Sequence, residues 1–178
     1  MHDRHGSTDA AIPAAWRGVL GDGLAITLVL ALAPSRRPPT PAESGVRLLD
    51  AIAMLEDGGR GGRDETPSLE LQRLEAKVDL LMQLLSTWMQ AQLPAPVSAT
   101  LSAEGVVLPA ALLDTADDRL ELYPSTAFAQ PLVLGLETVC ELDGAMGARW
   151  RFSDDGLREA LGRWVFRMHR RAVARARR

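Results

Sequence analysis

The sequence predicts an α+β chain: a small antiparallel β-barrel closed by a C-terminal helix and interrupted by two long inserted helices that form a coiled-coil oligomerisation element. Three observations lead there. Leu69 to Met89 repeats apolar residues at alternating spacings of three and four, the a and d positions of a heptad. After Pro96 the periodicity changes to short alternating or apolar runs separated by turn-formers, the pattern of an antiparallel sheet or small barrel. From Ser153 onward an amphipathic stretch dense in arginine ends the chain.

The elements follow in order. Residues 1–15 are small and polar and read as a disordered start. Trp16 to Ala33 reads as one or two strands around a turn at Gly21-Asp22-Gly23. Its apolar part, Leu24 to Ala33, ends in Ala31-Leu32-Ala33 as a secretory signal peptide can. It starts late, behind Asp22, and is too short to cross a bilayer, so it is read as a strand buried on both faces. Pro34 to Pro41 is a proline-rich linker that no helix or central strand can absorb.

Ala42 to Glu56 then places Val46, Leu48, Leu49, Ile52, Ala53 and Leu55 at helical spacing. A flexible stretch from Asp57 through Glu65 follows it. Thr66-Pro67 starts a second helix, with threonine as N-cap and proline at the first helical position, and Pro94 and Pro96 stop it. Its seam is Leu71, Leu74, Val78, Leu81, Leu85 and Trp88. Early flanking positions are charged, whereas later ones are Met82 and Leu84. The apolar stripe therefore widens toward the C-terminal end, which favours more than two helices at the seam.

Val97 to Ser102, Gly105 to Leu108, Arg119 to Tyr123, Leu132 to Glu141 and Gly147 to Phe152 are the five predicted strands after the insertion. The last helix begins near Ser153-Asp154-Asp155 and lines up Leu157, Leu161, Trp164, Val165 and Met168 on one face. Residues 172–178 read as a basic tail. The expected organisation is one domain over 16–171, with 42–93 inserted as the oligomerisation element.

Composition narrows the function. The net charge of −3 divides into −10 for residues 1–148 and +7 for 149–178. A basic tail of that kind can neutralise phosphates, but 4% aromatic residues and an acidic body count against nucleic-acid binding. Lone Cys140 cannot form an internal disulfide, and its apolar run makes it a small buried hydrophobe. Nothing requires an oxidising compartment, so a cytoplasmic location without a membrane span is expected. His2, His5 and His169 are scattered, and no phosphate loop, nucleophile elbow or metal-spaced cluster is present. No catalysis, metal or cofactor is expected.

The ending Arg163-Trp164-Val165-Phe166-Arg167-Met168-His169-Arg170-Arg171, placed after a small barrel, resembles the closing helix of a PilZ domain. Gly147 to Phe152 is similar to the strand that precedes that helix, and Arg119 to Tyr123 followed by Pro131 to Leu134 to the family's middle hairpin. PilZ domains are the principal receptor class for cyclic di-GMP. The inserted heptad helices resemble the atypical branch of tetrameric PilZ proteins. Ligand-competent members carry an Arg-x-x-x-Arg segment ahead of the barrel and a [Asp/Asn]-x-Ser-x-x-Gly turn. Here the turn survives only as Thr100-Leu101-Ser102-Ala103-Glu104-Gly105, and Trp88 to Val97 contains no basic residue.

Loss of two charge-assisted contacts, about 1.5–3 kcal/mol each, lowers affinity by roughly two to four powers of ten. The resemblance implies a non-enzymatic adaptor that self-associates and acts on an unidentified protein partner, with weak or no cyclic di-GMP binding. Its degenerate ligand set would be Thr100, Ser102, Gly105, Arg163 and Arg167. The alternatives are a receptor using a non-standard arginine set, Arg149, Arg151, Arg163 and Arg167, or nucleic-acid binding by the basic C-terminal helix.

Overall fold

A computed structural model describes residues 14–57, 69–91, 93–126 and 128–177. The start predicted to be disordered, the glycine-rich stretch after Asp57 and the Thr66-Pro67 helix start lie wholly or largely outside the described residues.

Six strands close into an antiparallel barrel: β1 (Ala25–Pro34), β2 (Pro96–Ser102), β3 (Gly105–Pro109), β4 (Arg119–Leu122), β5 (Leu132–Leu142) and β6 (Ala145–Arg151). Their order around the barrel is β1-β2-β3-β6-β5-β4. Closure depends on β1 changing partner along its length. Ala25 to Ala31 pair with β2, and Leu32 to Pro34 pair with β4. With no free edge left, the sheet offers no template for strand addition.

The inward residues are mostly aliphatic, with Trp150 of β6 among them. Leu32, Leu101, Leu120, Leu122 and Leu132 are fully buried. Between β5 and β6 the chain reverses at Asp143-Gly144, both left-handed at φ 52° and 74°, as a two-residue hairpin turn requires. Helix α4 (Asp155–Ala176) is capped by Asp154, whose side chain accepts from Gly156 N. It lays Leu157, Leu161, Trp164 and Val165 against the barrel core, all at most 3% exposed.

Between β1 and β2 run helix α2 (Ala42–Asp57) and helix α3 (Leu69–Gln90). α2 packs along α4; its Leu49 and Ile52 are buried, and Leu49 belongs to the core cluster that α4 also enters. Gly45 permits the close approach, since a Cβ at that position would stand 2.7 Å from Leu157 and 2.9 Å from Leu132. Three arginines in one row of α4, at i, i+4 and i+8, reach α2: Arg163 lies 3.8 Å from Asp50, Arg167 donates to Leu49 O at 3.2 Å, and Arg171 pairs with Glu56. By contrast, the described side chains of α3 are exposed along nearly its whole length.

Three expectations are corrected. Residues 14–20 are not a strand: Ala14–Trp16 form a 3-10 turn and Arg17–Leu20 a short helix, α1, because Trp16, Val19 and Leu20 recur at helical rather than alternating spacing. β1 is not buried on both faces, since Thr27 faces outward and Val29 is 62% exposed. Cys140 is exposed rather than buried. A register shift between Glu137 and Cys140 turns Cys140 to the outer face of the sheet, opposite Gly147.

Candidate functional site

Thr100, Ser102 and Gly105 come together on the β2–β3 turn. Ser102 is 1% exposed. Its Oγ accepts from Glu104 N at 3.0 Å and Gly105 N at 3.1 Å, so the hydroxyl stabilises the turn from within. Trp150 Nε1 donates to Ser102 O at 3.2 Å and ties the turn to β6. Thr100 Oγ1 lies 2.9 Å from Thr27 Oγ1, a cross-strand contact on the outer face. Gly105 is buried, and a Cβ there would stand 2.5 Å from Val19 O and 2.6 Å from Ala148 O. These residues make a well-filled turn.

Arg163 and Arg167 do not converge on it, whereas Arg149 and Arg158 approach its Glu104. Arg163 and Arg167 direct their guanidinium groups to α2. Arg149 lies 3.7 Å and Arg158 3.8 Å from the Glu104 carboxylate beside the turn, while Arg151 sits 4.0 Å from Asp118. These pairs are partly exposed, so each contributes little to stability. Their local effect is nevertheless to neutralise cations that an anionic ligand would use. The barrel's first strand is β1, so the segment ahead of it precedes Ala25 and is not Trp88 to Val97. Among its described residues, 14–24, Arg17 is the one basic residue, and the position four later is Gly21.

The heptad positions form the second candidate. Leu71, Leu74, Val78, Leu81, Leu85 and Trp88 are between 46% and 65% exposed. Leu80 and Leu84 add exposed apolar surface beside the seam at 56% and 60%. Single exposed leucines are ordinary on a protein surface, whereas a continuous row along one helix marks an interaction face.

Alternation hides a third feature. Arg119-Leu120-Glu121-Leu122 reads as a strand with glutamate outward, yet Glu121 is 9% exposed. Ser35 Oγ donates to its Oε1 at 2.9 Å, Tyr123 OH donates to its Oε2 at 2.7 Å, and Arg37 Nε stands 3.6 Å away. Burial together with the hydrogen bond and charge of Glu121 pushes the Tyr123 phenol up to about 12, against a smaller opposing effect of Arg37. This network fastens the proline-rich linker to β4. Its signal in sequence is the polar Ser35-Arg36-Arg37 at the end of an apolar strand.

Among the described residues no group of three His, Cys, Asp or Glu side chains could hold a metal ion, and no helix is long and apolar enough to cross a membrane. Among the described residues, shallow surface depressions lie near Asp114 and Glu141 and between Thr40, Gly135 and Phe152. Neither adjoins the Ser102 turn.

Comparison with known proteins agrees with this architecture. Residues 49–178 match the family model described as atypical PilZ domain, cyclic di-GMP receptor. A crystal structure of a pathogenic protein from Xanthomonas campestris, a tetrameric PilZ domain self-assembled via an unusual helical bundle, superimposes with a TM-score of 0.72. The two chains are 25% identical, and the similarity covers 91% of this chain and 97% of that one. No curated protein sequence matches.

Proposed function

Because the chain belongs to the atypical PilZ domain family, we propose that it is a non-enzymatic signalling adaptor that self-associates through α3, with a cyclic di-GMP site that has decayed to weak or no binding. The observation that carries the reading is the bare heptad seam from Leu71 to Trp88, exposed on a helix of about 33 Å. Such a seam is satisfied by partner helices of the same kind. The self-assembly of the Xanthomonas campestris protein through a helical bundle supports four copies.

On this reading residues 16–171 are one PilZ-like domain with 42–93 inserted, and the protein works in the cytoplasm. Four barrels held on a common bundle can engage a protein partner several times over, so weak contacts add to a strong one. The decay of ligand binding is supported by the Ser102 turn, where Thr100 replaces an acidic or amide residue and Glu104 occupies Arg149 and Arg158.

Light scattering on the purified chain at micromolar concentration tests assembly. The mass of four chains is expected, and a clean monomer overturns the reading. The family's receptor description favours the second reading, in which the same protein binds cyclic di-GMP through a non-standard arginine set. Titration calorimetry at low salt separates the two. No heat at tens of micromolar ligand supports the adaptor, and saturable submicromolar binding supports the receptor.

A further inference from the structure

Residues 14–24 lie outside the barrel, across the outer face of β3 and β6, and apolar contact holds them there. Val19 and Leu20 are 4% and 1% exposed, yet they stand apart from the barrel's core cluster. Val106, Leu108, Met146 and Ala148 of the two strands point into that core. Gly105 and Gly147 alternate with them and point outward. A Cβ on Gly147 would come within 2.5 Å of the Trp16 ring, and one on Gly105 within 2.5 Å of Val19 O. The two glycines therefore open a recess in the sheet surface. A helical turn fills it, with anchors Trp16, Val19 and Leu20 at i, i+3 and i+4.

The seated turn is weakly secured. Among the described residues no hydrogen bond or ion pair joins 14–23 to the barrel, and the backbone bond from Gly21 N to Arg17 O stays within the turn. Gly18 and Gly23 are not demanded by packing, since a Cβ at either would meet nothing within 4 Å. Glycine at such positions leaves the segment more freedom to detach than alanine would.

We propose that the outer β3/β6 face is a docking recess for a helical turn of a partner polypeptide with the pattern aromatic-x-x-aliphatic-aliphatic, and that residues 14–24 are a tethered occupant which the partner displaces. The seated residues define the chemistry that fits: one large ring over Gly147, an aliphatic side chain between Gly147 and Gly105, and a second aliphatic residue buried next to it in the chain. Helix-in-groove recognition uses anchors of this spacing. A tethered occupant competes at an effective concentration in the millimolar range. A partner must therefore bind better than the chain's own turn.

The test uses the full chain and a fluorescein-labelled peptide of residues 13–24, followed by anisotropy. Val19→Asp places a carboxylate in the apolar recess and frees it. The peptide is expected to bind this variant at least tenfold more tightly than the wild-type chain. Adding Gly147→Val, which fills the floor of the recess, is expected to abolish the gain. Trp16→Ala is a second opened variant that leaves the backbone unaltered if Val19→Asp does not fold. Hydrogen exchange should rise in 16–24 of the opened chain and stay unchanged in β3 and β6. Equal binding to wild-type and opened chains, or binding that survives Gly147→Val, overturns the proposal.

Discussion

The two inserted helices read alike in sequence and end in opposite circumstances. α2 and α3 are both amphipathic, and both lie between β1 and β2. α2 turns its apolar side inward: Leu49 and Ile52 are at most 1% exposed, and Gly45 lets the helix settle onto Leu157 of α4 and Leu132 of β5. α3 carries a longer apolar row and leaves it bare, with Leu81 and Trp88 both 65% exposed. Amphipathicity states only that a helix requires a partner. Whether the partner lies within the chain depends on what else the fold presents, and α4 offers one groove, which α2 already fills.

The comparison breaks first at α3. Replacing Leu74 and Leu81 with aspartate should remove roughly 1.5–3 kcal/mol of burial per leucine from every subunit of an assembly. Light scattering should then report monomers, while the melting of the barrel is unchanged apart from losing its dependence on protein concentration. An assembly of undiminished mass would show that α3 is not the seam. The corresponding change in α2, Leu49→Ala, should act on folding instead. A leucine truncated in a packed core costs about 2–5 kcal/mol, measured as a lowered midpoint in urea at constant slope. Loss of assembly with no change in that midpoint would reverse the roles assigned to the two helices.

Much of this was legible in sequence, and the exceptions share a cause. All five strands after Pro96, both inserted helices and the closing helix lie within a few residues of their expected places, because each repeats a period long enough to detect. At 14–20 the helical spacing of Trp16, Val19 and Leu20 covers little more than one turn, too little to stand out from the apolar strand that follows it. Cys140 points outward because of a bulge, which shifts alternation by one residue without altering composition. Thr100, Ser102 and Gly105 are singled out by the resemblance to the PilZ turn, and they do share one turn. Arg163 and Arg167 could be placed on α4 but not aimed, since their partners, Asp50 and the Leu49 carbonyl, are more than a hundred residues away. Glu121 was missed for a related reason: what covers it is the linker from β1, and alternation within β4 carries no information about a distant loop.

That covered carboxylate bears on the same comparison, because Ser35 and Arg37 begin the linker that delivers the chain to α2. If the root of the insertion is fixed to the barrel, α2 is held at both its start and its face, and α3 alone is left to associate. Tyr123 reports the fixing directly. It is the chain's only tyrosine, so tyrosinate absorbance during alkaline titration reads this site without interference. Its phenol is pushed up to about 12, mainly by burial and then by Glu121. The folded chain therefore holds a proton that the unfolded chain releases near pH 10. Between those values the native state binds more protons than the unfolded one, so this contribution to stability is complete below pH 10 and is lost as pH rises toward 12. Glu121→Gln removes the carboxylate charge and should move the midpoint down toward 10. A wild-type midpoint already at 10 would mean that the linker does not close over Glu121, and α2 would then be held by its apolar face alone.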